Sequence, residues 1–209
     1  MAELAEGLRE RKKQRTREAI VDAALRLFDE RGFEHTTIAD IAHEADIAPR
    51  TFFGYFPSKE DVVFHDFEDL AAGLERRLRD RESGETAADA LRAWLTTMLA
   101  ETDRSDERER RRHRILRDTP TLQAHERVLR GRFEAALADA VAVDLDAEPG
   151  SLRPRMVAAS FIASLEALKA YDDEEVESQR DPIEVLDEAL TFLRGGMRAL
   201  QKRPHPGGG

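Results

Sequence analysis

The chain reads as all-α. Apolar residues recur at helical spacing from end to end, no stretch alternates convincingly with a period of two, and capping residues, Gly and Pro punctuate the breaks. A first helix over roughly 10–31 carries Ile20, Ala24, Leu27 and Phe28 on one stripe and ends at Gly32. Thr37 and Asp40 form a capping-box-like pair that opens a short helix burying Ile38, Ile41 and Ala45. After a turn at Asp46 comes a helix expected to stop at Phe56, because Pro57 disfavours the α conformation in the residue before it. Ser58 and Asp61 open the next, which places Val63, Phe67, Leu70, Leu74 and Leu78 on one face and runs to about Arg81. The stretch "ESGET" breaks the chain, and Thr86 with Asp89 caps a helix bearing Leu91, Trp94, Leu95 and Met98. Further helices are expected over roughly 107–117, 121–143, 153–172 and 182–201, the last announced by Asp181, Pro182 and Glu184. The Pro- and Gly-rich stretch 202–209 reads as a disordered tail.

Composition narrows the function. With 41% hydrophobic and 36% charged residues in 209, and no apolar run near the roughly 18 residues a membrane span needs, the chain reads as globular. No membrane partner is expected, no secretory segment follows Met1, and the expected compartment is the cytoplasm. The absence of cysteine excludes disulfides, thiol catalysis and Cys-based metal sites, and neither a metal nor another cofactor is expected. A net charge of -10 argues against nucleic acid, but the charge is unevenly placed: "RERKKQRTR", residues 9–17, holds six basic residues against one acid.

The stretch "ADIAPRTFFGYFPSK", residues 45–59, sets four aromatic residues between Phe52 and Phe56. On a helix, Phe56 falls about 40° from Phe52, while Arg50, Thr51, Gly54 and Tyr55 occupy an arc from about 160° to about 300°. One face is therefore apolar and anchors the helix on Ile41, Ile47 and the first helix, whereas the other points outward. Two short helices joined by a tight turn, the second presenting a polar face near its N-terminus, form the arrangement that enters the DNA major groove. Arg50 and Thr51 would face base edges, Gly54 would permit close approach, and Lys59 would sit at a phosphate. The basic run, with Lys12, Lys13, Arg15 and Arg17, would add phosphate or minor-groove contacts ahead of the first helix.

The segment "TTIADIAHEADIAPRTFFGYFPSKEDVV", residues 36–63, resembles the DNA-binding motif of the TetR family of bacterial repressors. The resemblance implies a basic arm and helix-turn-helix domain over 1–57, a connecting helix over 58–81, and an effector-binding and dimerisation domain over 82–201. It implies a homodimer on a double-stranded operator, released by a small molecule. It implies DNA contacts by Thr37, Pro49, Arg50, Thr51, Gly54, Tyr55 and Lys59. Two residues depart from the family pattern. The usual turn glycine is Asp46, which tolerates positive φ better than most residues, and a frequent tyrosine is Phe53, which lacks a hydroxyl for phosphate.

Beyond residue 87 only the architecture matches. Trp94, Met98, Leu116, Phe133, Leu137, Phe161 and Leu165 lie on apolar faces that in such proteins surround an effector, with His113, His125 and Tyr171 as polar candidates. Their apolar character points to an acyl or aromatic ligand. Ala159, Ala163, Ala167 and Ala170 make a small-residue stripe, and Leu186, Leu190, Leu193 and Met197 an apolar one, read together as a four-helix dimer interface. A helical metalloenzyme is the rival class, but there is no HExxH and no paired Glu-x-x-His. A protein-interaction or activator module that binds DNA without small-molecule release is the other.

Overall fold

The computed structural model describes residues 2–101, 106–174 and 182–201, with the side chains at 2–6, 101, 168–174, 182, 185, 192–193, 197 and 199–201 outside that description. Every element among the described residues is a helix: α1 (Ala2–Arg31), α2 (Ile38–Glu44), α3 (Pro49–Phe52), α4 (Lys59–Val63), α5 (Phe67–Arg79), α6 (Ala87–Glu101), α7 (Glu107–Asp118), α8 (Pro120–Asp144), α9 (Leu152–Glu174) and α10 (Pro182–Gln201). They form two compact units, Met1–Glu68 with Asp103–Val128, and Asp69–Thr102 with Leu129–Gly209.

The first unit is built on α1. Ile20, Val21, Ala24, Leu25, Leu27 and Phe28 are buried with Phe33, Ile41, Phe52, Phe56, Val62 and Val63, and the core is completed by Ile115, Leu116 and Leu122. Gly32 closes α1 at φ 84, donating its N–H to the Phe28 carbonyl at 3.0 Å. Charge holds α7 against α1: Arg108 pairs with Asp22 at 3.3 Å, and Arg111 and Arg114 both reach Asp29 at 3.2 Å.

The partition expected at 57 and 81 is therefore corrected. The first unit extends to Glu68 and takes 103–128 as well, because Ile115, Leu116 and Leu122 fill its core. The expected connecting helix over 58–81 is two helices. It is interrupted at Phe64–Asp66, where Phe64 leaves the helical conformation at φ -103, ψ 34, and α5 ends at Arg79. The basic run is not an arm ahead of the first helix either, since α1 already begins at Ala2. Residues 202–209 lie outside the described residues.

In the second unit the core gathers Leu74 and Leu78 from α5, Leu91 and Leu95 from α6, Leu137 and Val141 from α8, Phe161 from α9, and Leu186 and Leu190 from α10. Thr86 caps α6 as its spacing with Asp89 predicts, accepting the Asp89 N–H at 3.2 Å. Asp144 is 7% exposed at its side chain, accepts from Arg81 at 2.8 Å and from the Ala87 N–H at 2.7 Å. Those contacts offset the cost of taking a carboxylate out of water.

Candidate functional site

The turn between α2 and α3 closes by backbone hydrogen bonds. Ile47 donates to the Ala42 carbonyl at 2.9 Å and Asp46 to His43 at 3.2 Å, the Schellman pattern, which puts Asp46 in the left-handed region at φ 53. Aspartate thus occupies the position that its tolerance of positive φ makes available. At the other end of α2, Thr37 accepts the Asp40 N–H at 3.1 Å and Asp40 accepts the Thr37 N–H at 2.9 Å. These bonds, the Thr37 hydroxyl foremost, hold the Asp40 carboxyl below the usual carboxylate range. Thr37 remains exposed, but its hydroxyl is engaged in the cap.

Pro49 stands at the first turn of α3, where its missing N–H costs nothing. The α-helical span stops at Phe52, short of the Phe56 expected. The chain then tightens, with Gly54 donating to Thr51 and Tyr55 to Phe52 at 3.0 and 2.9 Å. A Cβ at Gly54 would lie 3.2 Å from the Thr51 carbonyl oxygen, so this tight turn is itself a reason for glycine. Phe52 and Phe56 are 0% and 2% exposed and anchor the turn in the core. Pro49, Arg50 and Gly54 are exposed and Thr51 and Tyr55 half-buried.

Two predicted cations are engaged within the unit. Lys59 donates to the carbonyls of Phe33 at 2.7 Å and Thr36 at 3.2 Å, with its ammonium 4.2 Å from the Phe33 ring centroid. Arg17 donates to the His65 carbonyl and lies 4.7 Å from the Phe56 ring centroid. Both residues brace the fold, a use that sequence reasoning did not foresee. Lys12, Lys13 and Arg15 are exposed along α1. Phe53, absent from the predicted set, is 58% exposed on the turn that carries Arg50. Its helical offset of about 100° from Phe52 was the available signal, because it lies outside the buried stripe.

The effector candidates divide. Leu137 and Phe161 are fully buried in the second unit, and Trp94, Met98, Phe133 and Leu165 pack half-buried against the same core, Trp94 and Phe133 with ring centroids 6.0 Å apart. His113 and Leu116 do not join them. Both fall in the first unit, where Leu116 is a core residue and His113 is exposed on α7. His125 is also in the first unit, stacked 5.2 Å from Phe64. The Tyr171 side chain lies outside the described residues.

The dimer candidates divide as well. Ala159, Ala163 and Ala167 are exposed on α9, and the same face carries exposed Leu152 and Met156, which the spacing from Ala159 could have revealed. Leu186 and Leu190 are buried in the chain's own core at 3% and 1% exposure, so they present no free apolar surface for a partner. The side chains of Leu193, Met197 and Ala170 lie outside the described residues.

Residues 20–65 match the family model described as bacterial regulatory proteins, tetR family, and residues 85–198 match the MftR C-terminal domain. The chain is 33% identical over 168 residues to the HTH-type transcriptional regulator TcmR of Streptomyces glaucescens, covering 75% of this chain and 73% of that one. It is 30% identical over 192 residues to the putative mycofactocin biosynthesis transcriptional regulator MftR of Mycobacterium tuberculosis, covering 92% and 96%. Among solved structures, the Thermus thermophilus FadR repressor in complex with lauroyl-CoA superposes with a TM-score of 0.56 at 26% identity, covering 92% of this chain and 99% of that chain. No described helix is long and apolar enough to cross a membrane. The sequence matches, together with the helix-turn-helix built by α2 and α3, identify the chain as a member of the TetR family of DNA-binding transcriptional regulators.

Proposed function

We propose that this regulator is a repressor that binds a pseudopalindromic operator as a homodimer in the cytoplasm and is released by a largely apolar small molecule. The observation that carries the DNA reading is the braced turn from Asp46 to Phe56. Buried Phe52 and Phe56 fix it from below, while Pro49, Arg50 and Gly54 remain exposed. Arg50 is suited to a bidentate contact with guanine and Thr51 to a neighbouring base edge, and Tyr55, Lys12, Lys13 and Arg15 to phosphates that set register. A twofold dimer reads two half-sites spaced by about a helical turn or a multiple of it.

The exposed face of α9, from Leu152 and Met156 through Ala159, Ala163 and Ala167, supports self-association, since small residues let helices approach closely. Trp94, Met98, Phe133 and Leu165 around Leu137 and Phe161 supply the apolar wall for an acyl or aromatic effector. The lauroyl-CoA bound by the Thermus FadR is consistent with that class. An effector releases DNA only if it binds the released conformation better, and tenfold weaker operator binding needs about 1.4 kcal/mol of that preference. The test is a titration of long-chain acyl-CoA and aromatic compounds, following Trp94 emission and operator affinity together. Both should change over one concentration range. A compound that changes Trp94 emission and leaves operator affinity untouched would overturn the release mechanism.

A further inference from the structure

The ring of Phe53 is 58% exposed, between fully buried Phe52 and exposed Gly54. Its position is fixed. The ring meets that of fully buried Phe52 edge-on, with centroids 5.7 Å apart and planes at 85°, and the backbone on either side is pinned by the bonds from Gly54 to Thr51 and from Phe56 to Phe52, both 3.0 Å. With only two side-chain torsions it loses little entropy on contact. It has no hydroxyl, so it cannot hydrogen-bond a phosphate oxygen. What the major groove offers an apolar ring is the C5 methyl of thymine. Exposed Arg50, on the same short turn, supplies the polar contact beside it.

We infer that Phe53 is a specificity residue, reading one thymine in each half-site by packing its ring against the C5 methyl. This rests on the DNA-binding reading of the α3 face and adds to it a base and an atom. Arg50 reads by hydrogen bonds and Phe53 by apolar contact, so the two select different base pairs.

The experiment uses the full-length protein and the duplex it enriches from a random pool. Each thymine of that duplex is replaced in turn by deoxyuridine, which removes the C5 methyl and nothing else, and dissociation constants are measured by fluorescence anisotropy. One replacement per half-site should weaken binding about fourfold, the ratio for one methyl-sized group leaving apolar contact. In Phe53→Ala that penalty should vanish, thymine and uracil duplexes binding alike, with cooperative folding retained because most of the ring is exposed. Phe53→Leu, which keeps an apolar group, should retain part of the penalty. If no thymine methyl matters, or the penalty persists in Phe53→Ala, the ring does not read a methyl and the inference fails, while specific DNA binding stands. If no sequence is enriched at all, the DNA-binding reading falls and takes this inference with it.

Discussion

Lys59 donates its ammonium to the Phe33 carbonyl at 2.7 Å and lies 4.2 Å from the centroid of the same residue's ring. One cation thus ties the start of α4 to the loop that follows α1. Hydrogen bonds to charged groups contribute about 1.5–3 kcal/mol when partly buried, so Lys59→Met should lower the unfolding free energy by an amount in that range, measured by urea titration. Operator preference should be unchanged. Unaltered stability with a salt slope lowered by about one would show instead that the ammonium serves a phosphate.

Arg50 and the exposed cations of α1 should separate by readout. Arg50→Ala should lose about 1–3 kcal/mol of discrimination at one base position, whereas Lys12→Ala and Lys13→Ala should weaken all sequences alike and flatten the salt dependence. Binding-site selection with each variant checks this. An unchanged preferred sequence for Arg50→Ala would remove it from base reading.

His65 gives the first unit a pH dependence of known sign. Burial foremost holds its imidazole below the ordinary histidine value near 6.5, with Arg112, Arg108 and Arg17 acting in the same direction and Asp66 opposing, and its Nδ1 finds no hydrogen-bond partner among the described residues. The unfolded chain therefore takes up the proton first. Stability is full above about 6.5 and is lost as pH falls from there towards the lower folded-state value. The urea midpoint should drop between about pH 7.5 and about pH 5.5 more in the wild type than in His65→Gln. Equal drops would mean that other groups dominate acid sensitivity.

Gly73 and Trp94 provide a structural reporter in the second unit. A Cβ built at Gly73 lies 3.2 Å from the indole Nε1 of Trp94, so Gly73→Ala requires the ring to give by a few tenths of an ångström. Overpacking costs about 1–3 kcal/mol, while replacing a helical glycine by alanine returns about 1 kcal/mol. The net change in stability should be small and the change in Trp94 emission clear. Unchanged emission would show that the ring yields without leaving its environment.

The two helices assigned to dimerisation should also respond differently. Ala163→Arg or Met156→Glu, on the exposed face of α9, should yield folded monomers by light scattering. Leu190→Ala, inside the chain's own core, should cost about 2–5 kcal/mol of unfolding free energy instead. Dimers that survive both α9 substitutions would move the interface elsewhere.

What could be read from the sequence was mostly what short-range chemistry decides. The caps at Thr37, Ser58 and Thr86 each involve a partner three residues on, the turn at Asp46 needs only one residue in the left-handed region, and the Phe52 and Phe56 stripe follows from helical spacing. What was missed depends on distant partners. The carbonyls that occupy Lys59 and Arg17 belong to Phe33, Thr36 and His65, and nothing local to either cation announces them. Leu116 carries the same apolar signal whichever core receives it, and the interruption at Phe64–Asp66 contains neither Gly nor Pro. α3 ends at Phe52 and passes into the tight turn at Gly54, whereas the effect of Pro57 on the residue before it accounts only for a stop at Phe56.

The placement of 107–118 against α1 bears on how the DNA-binding half can be handled in the laboratory. A fragment cut after Glu68 would strip Asp22 and Asp29 of their arginine counter-ions and open the apolar interior at the surface vacated by Ile115, Leu116 and Leu122. Such a fragment holds the whole helix-turn-helix but only part of its supporting core. Isolated, it would be prone to aggregate, and any weakening of its operator affinity would report the lost support of α1.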